Sequence, residues 1–180
     1  DGINCLLSSI VVFWLLIFNY ILNLNTFFSF LNIFLIFGLI IFIFFNFKSK
    51  IFLGDSGCFV LSFYICYQTV FIYNRGLILN DKILNLESIF LLFFIPGIDM
   101  IRLIFTRAIA KKNPFRGDRN HLHHILISKY NLLKTLIIYL FLVTVPFTLY
   151  LVYPYFLNYF LIFTLIIYSL LVLRIRYEKN

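Results

Sequence analysis

The chain has 180 residues, 63% of them hydrophobic and 12% charged, with a formal net charge of +8. A soluble domain carries roughly 25% charged residues, so this composition excludes one. A transmembrane barrel is excluded too, because runs such as Leu31 to Phe45 are apolar on every face instead of alternating.

Taken in chain order, the apolar runs predict about six membrane-spanning helices, at approximately 5–22, 27–47, 57–73, 88–110, 132–152 and 157–173. The expected fold class is all-α, a polytopic transmembrane helical bundle forming a single integral membrane domain over 1–180. The fourth run is broken at Pro96-Gly97, where a helix loses a backbone hydrogen bond and kinks. Such breaks persist in membranes where protein or water satisfies the freed carbonyl. Cys5, Cys58 and Cys66 are scattered among apolar segments, so they read as reduced packing residues and not as a disulfide framework or zinc set. The sequence opens on an aspartate at the edge of an apolar run, without an initiator Met or the basic region of a signal peptide. A missing N-terminal part is therefore expected.

Alternating connections place the start of the chain, the 48–57 loop, the 111–131 loop and the C-terminal tail on one side. Lys48, Lys50, Arg107, Lys111, Lys112, Arg116, Arg119, Lys129, Arg174, Arg176 and Lys179 fall on or beside that group, while Arg75 and Lys82 lie opposite. The positive-inside rule makes the basic side cytoplasmic. Topology thus accounts for the excess of Lys and Arg, and nucleic-acid binding is not needed to explain it.

Every segment with chemical character falls on that same side. Asp1-Gly2-Ile3-Asn4 precedes the first span and reads equally well as a helix cap. Gly54-Asp55-Ser56-Gly57 joins the basic loop holding Lys48 and Lys50 to the third span. Asp55 or Ser56 could cap that helix. The same geometry would offer backbone amides to a phosphate and a carboxylate to a magnesium ion, with the lysines adding positive charge. Asp99 lies within the fourth span with Arg102 one turn later. An ionisable pair there faces the bundle interior, either as a local anchor or as part of a functional site. The segment from Asn113 to His124 gathers all 3 histidines of the chain beside Arg116, Asp118 and Arg119. A solvated basic loop is the simplest alternative, and zinc is disfavoured by spacing. Arg forks and imidazoles together suit a diphosphate and a nucleotide.

In this order and on one face, the segments resemble the motifs of the polyprenyl-phosphate N-acetylhexosamine-1-phosphate transferases. The resemblance rests on Asp1-Gly2-Ile3-Asn4-Cys5-Leu6, Gly54 to Gly57, Pro96 with Asp99, and Pro114-Phe115 through His121-Leu122-His123-His124. It covers essentially the whole chain but only the C-terminal portion of such enzymes, which carry further N-terminal spans and an aspartate-rich loop. Cys5 stands where the family usually has Gly, and Cys58 where Ser often follows the Gly-Asp-Ser-Gly string.

The resemblance implies transfer of a sugar-1-phosphate, N-acetylglucosamine-1-phosphate or a related N-acetylhexosamine-1-phosphate, from a UDP-sugar to a polyprenyl phosphate, with release of UMP. It implies catalytic carboxylates at Asp55 and Asp1, with Mg2+ on Asp55 and Asp1 supporting the metal or the lipid phosphate, and substrate contacts from Asn4, Lys48, Arg116, Arg119, His121, His123 and His124. The expected setting is a bacterial inner membrane with the motif loops cytoplasmic. Expected partners are the UDP-sugar, the lipid phosphate and the membrane, with a homodimer left open. A membrane transporter and a catalytically inactive fragment are the competing readings.

Overall fold

The computed structural model describes residues 3–22, 27–79, 84–111, 113 and 120–177, with Arg176 and Tyr177 described by their backbone alone. Helix is the only regular structure among them: α1 (Leu6–Leu22), α2 (Phe27–Phe47), α3 (Gly54–Leu79), α4 (Leu86–Leu92), α5 (Phe94–Ile109), α6 (Leu122–Ile127), α7 (Leu132–Val152), a 3₁₀ turn at Pro154–Phe156, and α8 (Leu157–Tyr177). The chain divides into two compact units, Asp1–Ile89 and Phe90–Asn180.

Helices of 21 residues, as in α2, α7 and α8, reach about 31 Å at 1.5 Å per residue, enough to cross a bilayer core. Among the described residues four helices are long and apolar enough to span, and the α4–α5 pair makes a fifth if it is one bent span. The remaining predicted segment is α1, an apolar helix of 17 residues. The chain is thus an all-α, multi-pass membrane protein.

In the N-terminal unit α1 packs against both α2 and α3, burying Val11, Leu15 and Phe18 completely. The second helix is inside out by soluble standards. It buries Ser29, Asn32, Leu39 and Asn46, while Phe30, Phe34, Phe37 and Ile41 are exposed. Lipid explains the inversion. Hydrocarbon is as apolar as Phe, so nothing drives Phe inward, whereas an amide must find a partner. Asn32 finds Gln68 of α3 in a reciprocal pair, donating to Oε1 at 3.0 Å and accepting from Nε2 at 2.6 Å. The Tyr64 hydroxyl donates to the same Asn32 oxygen at 2.9 Å.

The C-terminal unit packs α7 against α5, α6 and α8. The inward stripe of α7 runs through Leu136, Tyr139, Val143, Phe147 and Tyr150 at helical spacing. Asn131 caps this helix, its side chain accepting from the Lys134 amide at 3.0 Å. The fourth apolar run is interrupted by a bend of 72° between α4 and α5. The interruption falls at Phe93, just before Pro96-Gly97. A proline ring clashes with the carbonyl four residues back and lacks an N–H, and Pro96 sits in the first turn of α5, where neither defect breaks a helical bond, whereas Pro146 is carried inside α7. The Gly97 amide accordingly donates to the Phe93 carbonyl at 3.0 Å.

Candidate functional site

In the N-terminal unit the loop after α2 is held by its own backbone. Ser49 has φ +53, and its amide donates to the Asn46 carbonyl while the Lys50 amide donates to the Phe45 carbonyl. This pattern closes the helix C-terminus in a Schellman turn, with serine in the place glycine usually takes. The Asn46 side chain, fully buried, then ties three segments together: it accepts from the Cys5 amide and donates to the Ile51 carbonyl at 2.6 Å. Asn4 adds a bond from its amide nitrogen to the Ser49 hydroxyl at 2.9 Å. The predicted substrate residue Asn4 is thus anchored to the loop after α2. Lys48 is exposed, and its ammonium rests 4.0 Å from the centre of the Phe44 ring.

The Gly-Asp-Ser-Gly string begins α3. Gly54 takes φ +69, a left-handed turn that glycine adopts without cost. Gly57 lies against Leu53, whose Cδ1 would be 2.8 Å from an added Cβ. Asp55 falls within the first turn of the helix. Its carboxylate is exposed, and among the described residues it accepts no hydrogen bond, so neither the capping role nor an ion pair occupies it. An unengaged carboxylate fits a hard cation such as magnesium, which commonly takes one or two protein carboxylates and completes its shell with water and phosphate oxygens. Among the described residues no cluster of three or more His, Cys, Asp or Glu stands ready as a self-sufficient metal cage.

The C-terminal unit holds the histidines. Asp99 of α5 is 2% exposed and does far more than pair with its neighbour. Its Oδ1 accepts from Arg102 Nη2 at 2.8 Å and from the Tyr168 hydroxyl of α8 at 2.8 Å. Both carboxylate oxygens lie 3.1 Å from the Leu122 amide, and Oδ2 lies 2.8 Å from His121 Nδ1. The first amide of α6 is therefore capped by a residue of another helix, in place of the local cap that His121 does not provide. Arg102 also donates from Nε to Tyr168 at 2.7 Å and from Nη2 to the Asn120 carbonyl at 2.6 Å. A carboxylate this deep persists because every lone pair is matched by a donor.

The three imidazoles form one cluster. His121 and His123 stack with centroids 5.4 Å apart and planes within 4°, and His123 lies 4.4 Å from His124. On its other side His123 meets Tyr139 of α7 edge to face at 6.4 Å. Burial first, then repulsion from His124 and His121, pushes the His123 pKa down to about 4. Near neutral pH it is an uncharged donor and acceptor.

The structure thus brings His121, His123 and His124 together in one unit and Asn4, Lys48 and Asp55 into the other. Asp1, Arg116 and Arg119 lie outside the described residues. Tyr168 and Asn120 were not singled out by sequence, since a tyrosine in an aromatic-rich span and an asparagine in a polar loop carry no signal of their own. Asp99 and Arg102 were visible as intramembrane charges, but their reach to α6 and α8 was not. Asp99 is engaged by Arg102, Tyr168, His121 and the Leu122 amide.

A multi-pass helical membrane protein with a histidine cluster beside α7 in one unit and, in the other, a carboxylate at a helix start that accepts no hydrogen bond among the described residues is the class these features define. No family model matches the chain, and no solved structure matches it. Over 90 residues, 50% of the chain, it is 33% identical to the undecaprenyl-phosphate alpha-N-acetylglucosaminyl 1-phosphate transferase of Thermotoga maritima, covering 28% of that protein. The proteins of the same name from Haemophilus influenzae and Pasteurella multocida are each 32% identical to it over 80 residues, 44% of the chain and 21% of theirs. The match spans less than a third of the length of these relatives.

Proposed function

We propose that this chain is part of an enzyme that transfers an N-acetylhexosamine-1-phosphate, N-acetylglucosamine-1-phosphate above all, from a UDP-sugar to a polyprenyl phosphate and releases UMP. The observation that carries this reading is the similarity to transferases named for that lipid and sugar. The setting is the inner membrane of a bacterium, with the 48–57 and 111–131 loops cytoplasmic, where UDP-sugars are available.

The chemistry asks little of a base. A phosphate monoester has a second pKa near 6, so the lipid phosphate oxygen is already a nucleophile at neutral pH. The difficulty is the approach of two anions, and positive or hydrogen-bonding groups must converge on them. Asp55 would hold Mg2+, which when bound neutralises the diphosphate and stabilises the leaving UMP. Lys48 adds charge to the same loop. The histidine cluster supplies N–H groups on a packed frame, and Arg116 and Arg119 would add bidentate phosphate contacts. Asp1 is assigned to support of the metal or lipid phosphate.

The test is transfer of label from UDP-N-acetylglucosamine to undecaprenyl phosphate in membranes carrying the protein, with and without magnesium. Label in lipid that requires magnesium and is lost in Asp55→Asn supports the reading. No label from any UDP-N-acetylhexosamine, with the protein folded and inserted, favours the inactive-fragment or transporter reading.

A further inference from the structure

Three bonds fix His121 in space, and all of them come from the pair one turn apart on α5. Arg102 Nη2 holds the carbonyl of Asn120, the residue before it, at 2.6 Å. Asp99 holds the amide of Leu122, the residue after it, at 3.1 Å. The imidazole itself is held through Nδ1, 2.8 Å from Asp99 Oδ2. Tyr168 braces the pair from α8, accepting from Arg102 Nε and donating to Asp99 Oδ1. A carboxylate surrounded by donors is acceptor only, so Nδ1 of His121 carries the hydrogen of this bond. Nε2 has no hydrogen-bond partner among the described residues and is the nitrogen left to a ligand. Exposure agrees with this division, since the Asp99 side chain is 3% exposed and that of His121 35%.

We infer that Asp99, braced by Arg102 and Tyr168, is a positioning residue that sets the ring angle and tautomer of His121 so that Nε2 faces the nucleoside diphosphate substrate. The inference rests on the transferase reading above. A backbone pinned on both sides and a ring bonded at one edge leave the imidazole no rotamer search on substrate binding, which is the benefit of a preorganised contact.

Asp99→Asn tests it with little change of shape. Arg102 can only donate, so it repels the new amide group and claims the remaining oxygen together with Tyr168. The nitrogen of the introduced side chain then points at His121 Nδ1, which must become an acceptor, moving the hydrogen to Nε2. With 3 histidines in the chain, nitrogen-15 imidazole spectra of the protein in nanodiscs are simple, and His121→Gln identifies the resonance. The expected result is an Nδ1–H tautomer at His121 in the wild type and an Nε2–H tautomer in Asp99→Asn. An unchanged tautomer in Asp99→Asn, or an Nε2–H tautomer in the wild type, overturns the inference.

Kinetics supply the second arm. Asp99→Asn and His121→Gln should each lower kcat about 10–100-fold, and the double variant should lose no more than the worse single change. Losses that multiply would mean that Asp99 acts on something other than His121, and would overturn the assignment. A wild-type protein with the Nδ1–H tautomer but no sugar-phosphate transfer would instead sink the transferase reading and leave the geometry of His121 standing.

Discussion

Single residues carry backbone strain and charge in places that can be tested separately. Cys5 is buried with φ +67, where the family resemblance usually has glycine, so it holds a left-handed conformation that costs an ordinary side chain about 1 kcal/mol. Cys5→Gly should change unfolding free energy in detergent by less than about 1 kcal/mol, because relief of strain offsets the loss of a small buried group. Cys5→Val, branched at Cβ, should lose about 2 kcal/mol or more, and equal stability of the two variants would contradict this account. His123 titrates differently in the two states, near 4 when folded against an ordinary 6.5. Between those values the unfolded chain binds a proton that the folded chain refuses, so this stability is full above about pH 6.5 and is lost as pH falls toward about 4. Melting temperature should drop from about pH 7.5 to about pH 5 in the wild type, and less in His123→Gln. An identical drop in both would assign the effect to other groups.

At the scale of elements, polar pairs do in this membrane protein what apolar cores do in water. The Asn32–Gln68 amide pair joins α2 to α3 in a stretch where both helices otherwise show Phe, Tyr and Val to the outside. Asn32→Leu should destabilise the protein by about 1–2 kcal/mol, since it removes the acceptor that Gln68 and Tyr64 share and the donor to Gln68 Oε1. Gln68→Leu added to it should recover part of that loss, because the second change removes a buried amide that has lost its reciprocal partner. Strict additivity in urea or SDS unfolding would show that the pair is not a unit. The bent α4–α5 pair follows a different rule, in which Pro96 takes a first-turn position that needs no N–H, after a bend of 72°.

On the scale of the whole molecule, a row of basic loops and a set of apolar helices define an insertion pattern. Since α7 crosses once, Asn131 and Tyr155 should lie on opposite faces. With Cys58 and Cys66 changed to serine, Asn131→Cys should react with an impermeant thiol reagent from the cytoplasmic side and Tyr155→Cys, 96% exposed, from the other. Labelling of both from one side would overturn the crossing of α7, and an exchange of the two sides would reverse the charge-based topology.

The membrane class, the all-helical fold and the approximate spans were legible because length and hydropathy are local properties, and a bilayer imposes one thickness on every span. The motif resemblance was legible for a similar reason, as Gly54 to Gly57 and His121 to His124 are contiguous strings. Only the tertiary structure decided the partners of Asp99. Sequence spacing presents it as a partner of Arg102 within one helix, whereas its donors also come from α6 and α8, 22 to 69 positions away. The same holds for Asn46, whose buried amide joins Cys5 to Ile51. A hydrogen bond is satisfied by proximity in space, and in a dry interior any donor within about 3 Å will serve, however far along the chain it lies.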